Sequence, residues 1–233
     1  ESVGLIDAKL VHVSFGTVLG EDGRPMKTRS GTLIGLESLL DDAVDAAYQV
    51  VCDPDRLVKF DPPMDDEEKR MIAERVGIGA IKYADLSHDR TSDYRFILSK
   101  MVALTGNTST YAQYNYARTV SILRRVGVTE SEVLERVRNT GIHFTDPAER
   151  ALGLQLLQLE EALQGVYDDY GPNHLVDYVY ATAEVFSKFN VQCHVLTAET
   201  PEIQNTRLAL VLLTGRVLKK SLELVGIEVV ERM

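Results

Sequence analysis

Two short stretches of this chain carry side chains whose types and spacing suit phosphate or base chemistry. The first, GEDGRPMKTRSG (20–31), passes through an Asp22-Gly23 hairpin signal and then sets Lys27, Thr28, Arg29 and Ser30 in a row before Gly31. Backbone N–H groups of such a glycine-flanked turn, beside two cations and two hydroxyls, can hold a polyphosphate. The cations would stabilise charge on a departing pyrophosphate. The same residues also make an ordinary solvated β-turn, and their spacing is not that of a G-x-x-x-x-G-K-[ST] loop.

The second stretch holds Tyr111, Tyr114 and Arg118 at i, i+3 and i+7. A helix places all three on one face. Asn107 lies one turn earlier, Asn115 borders the face, and Arg125 continues it with Arg124 alongside. Rings, guanidinium groups and amides in that arrangement form a platform for an unstacked base. Further along, Arg216, Lys219 and Lys220 add cations that would extend a basic patch. The competing reading makes the tyrosines core rings with wet hydroxyls and leaves the arginines solvated. Pattern alone favours that competing reading.

Other candidates carry less. Gly77-x-Gly79 has Lys82 where a dinucleotide fingerprint needs its third glycine, and it sits inside a helical pattern, so close helix packing is the expected use. The histidines (12, 88, 143, 174, 194) show no metal spacing, and His88 and His143 read as surface or cap residues. Asp168-Asp169 and Glu160-Glu161 read as solvated helix faces. Cys52 and Cys193 lie far apart with no C-x-x-C, which indicates neither a zinc knuckle nor a disulfide framework. No metal site is expected.

The elements that must position these groups are mostly helical. LVHVSFGTVL (10–19) alternates as a strand, with Val11, Val13 and Phe15 on one face and His12, Ser14 and Gly16 on the other. A helix follows over 36–51, then a proline-bearing linker, DPDRLVKFDPP. Asp65 and Glu68 have the form of a capping box opening a helix to about Leu86. Helices are then predicted over 110–126 and 131–139, from Asp146-Pro147-x-Glu149 onward, from Pro172 to about Asn190, and from Thr200-Pro201 to a stop at Gly226. The fold class expected is mainly α: a short α/β segment (1–104), then an α-helical bundle (105–233).

The chain has 233 residues, 45% of them hydrophobic, and a formal net charge of −10. That charge argues against a generally basic nucleic-acid binder and leaves room only for a local basic patch. No signal peptide is visible and no apolar run approaches the roughly 18 residues that span a membrane. A cytoplasmic location is expected. The chain opens on Glu1 and reads as part of something longer.

Taken together, several segments resemble the arginyl-tRNA synthetases, class I enzymes that join arginine to its tRNA. They are HVSFGTVLGEDGRPMKTRSG (12–31), LLDDAV (39–44), VGIGAIKYADLSHDRTSDYRF (76–96), GNTSTYAQYNYAR (106–118), RLAL (207–210) and GIEVVERM (226–233). The resemblance implies that residues 25–29 occupy the place of the class I K-M-S-K-S loop, with Lys27 and Arg29 as catalytic groups on the triphosphate. Thr28 and Ser30 would bind ATP beside them, and the strand from His12 to Phe15 would lie near the adenine. It implies ATP as substrate, with Mg2+ expected in the whole enzyme, and arginine and tRNA(Arg) as partners, with a monomer favoured.

The bundle similarly resembles an anticodon-binding domain of the D-A-L-R type, which makes Tyr111, Tyr114, Arg118, Arg125, His194 and Met233 candidate tRNA contacts. Asn190 and His194 stand where many members carry stacking aromatics. No histidine is followed by x-G-H, so the chain is expected to be a C-terminal portion that does not aminoacylate by itself. A stand-alone tRNA-binding module and a non-catalytic helical interaction protein are the alternatives.

Overall fold

The chain folds as a helical assembly with one small parallel strand pair. A computed structural model describes residues 10–25, 35–57 and 62–233. The helices are α1 (Leu36–Val51), α2 (Pro54–Leu57), α3 (Asp66–Leu86), α4 (Leu98–Met101) and α5 (Ser109–Val126), then α6 (Glu130–Thr140), α7 (Pro147–Leu157), α8 (Leu159–Asp169), α9 (Asn173–Gln192) and α10 (Pro201–Leu224). Strand β1 (Val18–Leu19) runs parallel to β2 (Tyr94–Arg95), with Val18 opposite Tyr94 and Leu19 opposite Arg95.

Local hydrogen-bond chemistry sets most helix ends. The Thr108, Thr129 and Thr200 side chains accept from the backbone N–H three residues on, which satisfies a donor with no partner inside the helix. Asp146 and Glu149 close a reciprocal capping box around Pro147. At α10 the chain leaves through Gly226, whose φ of 71° is open to glycine at little cost. There Gly226 N donates to Glu223 O and Ile227 N to Leu222 O, a Schellman closure. His143 Nε2 lies 2.7 Å from Thr140 O and His88 Nδ1 2.8 Å from Ala84 O, so both histidines serve helix C-termini.

Four expectations need correction. Only Val18 and Leu19 of the expected strand 10–19 pair, because β2 offers a neighbour over just two residues. Leu10 and Phe15 are 94% and 87% exposed. The 53–63 linker contains the helical turn α2. Asp65 does cap α3, accepting from Glu68 N at 2.8 Å, but the Glu68 carboxylate does not return to complete the box; Arg232 holds it at 3.0 and 3.1 Å. The helix opened by Asp146 breaks at Gln158 into α7 and α8. Its apolar spacing runs through the break, so periodicity alone reads one helix.

The largest core cluster lies inside the α5–α10 bundle, built on Leu152, Leu156, Phe186, Phe189, Leu208 and Val211. A second, with Tyr83, Tyr116, Val176, Leu218 and Ile227, joins α3 to that bundle. A third seats α1 on α3 through Ala47, Val51, Ile72, Ala73 and Val76, and it takes in Val230 from the segment after α10.

The α1–α3 contact is a backbone approach. A Cβ on Gly77 would stand 2.6 Å from Ala43 O and 2.7 Å from Val44 Cα, so this glycine serves close packing. Replacing it with valine forces two main chains apart. We expect Gly77→Val to lose at least about 1–3 kcal/mol of stability, read as a lowered midpoint in urea denaturation. An unchanged midpoint would mean that α1 shifts freely on α3.

Candidate nucleic-acid interface

Three segments border a single groove of about 1270 Å³: one face of α5, the end of α9 with its following turn, and the tail after α10 (226–233). The α5 face is ordered before any ligand arrives. Arg118 Nη2 donates to the Tyr114 hydroxyl at 2.8 Å, and its guanidinium carbon lies 4.6 Å from the Tyr114 ring centroid. A cation stacked on a ring and hydrogen-bonded to the same side chain loses little further freedom on binding. Arg124 and Arg125 extend the wall. Arg124 approaches Glu231 of the tail at 3.7 Å, a solvated contact. Arg125 makes no ion pair among the described residues.

The second wall is a turn held from below. Cys193 and Val195 are buried at 0% and 3% exposure, which leaves His194 between them facing out. Arg207 on α10 fixes it, donating from Nη1 to His194 O at 2.9 Å and from Nε to Glu149 Oε1 at 2.6 Å. Gln204 Nε2 adds a bond to Val195 O at 3.1 Å. Asn190, Val191 and Leu196 complete this wall, Val191 and Leu196 presenting apolar surface at 68% and 49% exposure. Burial pushes the Cys193 thiol up to about 11, so it remains a protonated core group.

Glu149 is the charged anchor of that wall, with its side chain wholly buried. Burial raises its pKa, but the Arg207 hydrogen bond and the Thr145 and Asp146 backbone N–H groups outweigh it and hold the carboxyl below its usual range. From the amino-acid order Glu149 reads only as a cap and Arg207 only as part of RLAL. No periodicity signals a bond that joins residues 58 apart.

The tail forms the third wall, with Glu231, Arg232 and Met233 on the groove. Arg232 is turned back toward α3, where it holds Glu68 at 3.0 Å and donates to Pro62 O. Met233 packs partly against the α1–α3 cluster.

The structure thus gathers Tyr114, Arg118, Arg125, His194 and Met233 around one groove. Tyr111 is not among its lining residues; it sits a turn away, half-buried, with its ring 6.0 Å from that of Tyr180 at 58°. The expected basic patch is also divided. Arg216 pairs with Glu130 at 2.7 Å and Lys220 with Glu223 at 3.8 Å, and neither they nor Lys219 reach the groove. Asp169 is more than a solvated face: it holds His174 at 2.8 Å and Gly171 N at 2.7 Å. His12 and Phe15 lie on irregular backbone and the Phe15 ring is exposed. Lys27, Thr28, Arg29 and Ser30 lie outside the described residues.

Residues 112–233 match the family model for the DALR anticodon binding domain, and residues 5–98 match that for the class I tRNA synthetase (R) catalytic domain. The chain belongs to the arginyl-tRNA synthetase family. It is 59% identical over 239 residues to an arginine–tRNA ligase of Rhodopirellula baltica, covering 100% of this chain and 36% of that relative. It is 43% identical over 224 residues to one of Yersinia pseudotuberculosis, covering 96% of this chain and 37% of the relative. It thus spans just over a third of the length of these curated relatives.

Among solved structures, Thermus thermophilus arginyl-tRNA synthetase superposes with a TM-score of 0.79 at 28% identity, over 95% of this chain and 35% of that one. The Plasmodium falciparum arginyl-tRNA synthetase gives 0.78 at 27% identity, over 97% and 36%. The mainly helical fold of this family is therefore the fold of this chain. No helix among the described residues is long and apolar enough to cross a membrane.

The Glu149–Arg207 pair can be tested through pH. Arg207→Leu strands a buried carboxylate, and we expect a loss of about 3–5 kcal/mol at pH 7. In the parent, the depressed Glu149 pKa contributes stability that is fully present above the unfolded value, about 4.3. That contribution is lost as pH falls through the folded value. In the variant the same carboxyl gains by protonating, so the gap between the two should narrow toward acid in urea titrations. A gap constant from pH 7 to pH 4 would remove the charge from the explanation.

Proposed function

We propose that this chain supplies the anticodon-reading groove and the ATP-phosphate loop of an arginine–tRNA ligase. In the whole enzyme, arginine and ATP give arginyl-adenylate and pyrophosphate, and the arginyl group passes to the terminal adenosine of tRNA(Arg). The observation that carries the groove reading is the Tyr114–Arg118 pair, a ring and guanidinium locked together on the wall of a groove of about 1270 Å³. Bases splayed from a single-stranded loop stack on such groups at about 1–3 kcal/mol each. His194, Val191 and Leu196 offer the opposing surface, and Arg124 and Arg125 suit the phosphates between bases.

Under this reading Lys27 and Arg29 neutralise the triphosphate as the arginine carboxylate attacks the α-phosphate, and Thr28 and Ser30 hydrogen-bond its oxygens. The backbone from His12 to Phe15 takes the adenine. Mg2+ is expected to accompany the nucleotide in the whole enzyme, and no step is assigned to it. We divide the chain at 104/105 between the catalytic portion and the anticodon reader, and favour a monomer and a cytoplasmic location.

The deciding experiment titrates the chain with transcribed tRNA(Arg) and with a copy altered only at the middle anticodon base. A preference of about tenfold for the unaltered tRNA is expected from one lost base interaction. Arg118→Ala should weaken binding by at least about tenfold, because it removes both the cation and the lock on Tyr114. Equal, weak binding of both tRNAs would sink the anticodon assignment, and unchanged affinity of Arg118→Ala would take Arg118 out of the site.

A further inference from the structure

Gln113 has no part in the groove as described. It lies on α5 one residue before Tyr114, with its side chain wholly buried. Its Nε2 donates to Glu228 O of the tail at 2.7 Å and to Arg75 O of α3 at 3.3 Å. One amide nitrogen carries two protons, so a single group serves two carbonyls on two different elements. The acceptor end, Oε1, is buried and has no partner among the described residues. A buried amide normally has both ends satisfied. Turning this one over would place an oxygen against two carbonyl oxygens, so the side chain is held for what its nitrogen does.

The surroundings are shaped to admit it. A Cβ on Gly79 of α3 would stand 3.2 Å from Gln113 Nε2 and 3.1 Å from Ile227 Cγ2. Lys82 Nζ donates to Gly226 O at 2.6 Å, and Val230 is sealed into the α1–α3 cluster. Past these holds, Glu231 and Met233 reach the groove opposite Tyr114 and Arg118.

We propose that Gln113 is a specificity-positioning residue: its amide fixes the register of the tail against α5 and thereby sets the groove width that discriminates one anticodon base from another. This rests on the anticodon-reading function proposed above. Gln113 touches no RNA; it acts through the tail. The arginines that meet phosphate stay in place without it, so removing the amide separates discrimination from electrostatic attraction.

The test uses Gln113→Met, of similar length and without donors, in the full 233-residue chain. Binding is titrated with tRNA(Arg) and the middle-base variant across a range of salt. The parent should discriminate by about tenfold and Gln113→Met by no more than about twofold, with the same slope of log K against log salt. Deleting Glu231–Met233 should give the same loss, and the combination should lose nothing more. A residue that merely stabilised the bundle would shift the melting temperature and add to the deletion.

Should circular dichroism show Gln113→Met unfolded, Gly79→Ala decides, because alanine suits a helix while crowding the amide. Its discrimination should fall by about threefold or more, on the same tenfold-per-step scale. Undiminished discrimination in the folded variant overturns the inference alone. A parent chain without any preference overturns the anticodon reading, and the inference with it.

Discussion

Helix α3 is pressed from two sides at two glycines, and the arrangement of the groove depends on that double contact. At Gly77 the main chain of α1 comes within 2.6–2.7 Å of where a Cβ would be; at Gly79 the Gln113 amide and Ile227 come within 3.1–3.2 Å. At Gly77 backbone this close is held by dispersion over a wide contact and an added methyl has nowhere to go, whereas at Gly79 it would have to displace side chains by a few tenths of an ångström. The consequence is geometric. Helix α1, which begins soon after the Lys27–Ser30 stretch, and the tail, which borders the groove, both take their position from one rigid helix. Two pieces of chain distant in sequence thereby share a reference frame.

The groove sets the helical face of α5 against two stretches of irregular backbone, and each irregular stretch has a polar hold beneath it. The 193–197 turn stands on Arg207 and Glu149, and the tail on Gln113 and Lys82. A hydrophobic core fixes helices well because their apolar faces are extended, but a turn of five residues has too little apolar area to fix its own course. Directional bonds to carbonyl oxygens do that instead. A buried ion pair contributes little net stability over a well-packed apolar pair. Here the pair sets where one carbonyl, and so one exposed imidazole, must sit.

This division also explains what the amino-acid order reveals. Caps at Asp65, Asp146 and Thr200 and the stop at Gly226 were legible because each is satisfied within two to five residues by its own neighbours. The family and its helical architecture were legible because many motifs agree in order. The extent of β1 was not, since an alternating pattern states a capacity to pair and not the length of the partner. Tyr111 shares a helical face with Tyr114 in projection, yet Tyr180 from α9 covers it. The division of the cations was equally hidden, because Glu130, which neutralises Arg216, lies 86 residues away in the chain.

Charge then acquires a consistent role. With a net charge of −10 the surface as a whole repels RNA, and the arginines on the groove are three, Arg118, Arg124 and Arg125, beside the internally paired Arg232. Three phosphate contacts on a single-stranded loop give a salt slope of only about −2, too shallow for strong sequence-independent binding. Under the proposed function most of the affinity therefore comes from bases placed against Tyr114, His194 and the apolar rim, which requires a loop that can unstack its bases. Under the proposed anticodon-reading function, an acidic body with a short arginine line favours a ligand whose bases fit over one that offers phosphates alone. On that reading, weak attraction everywhere else is part of the recognition.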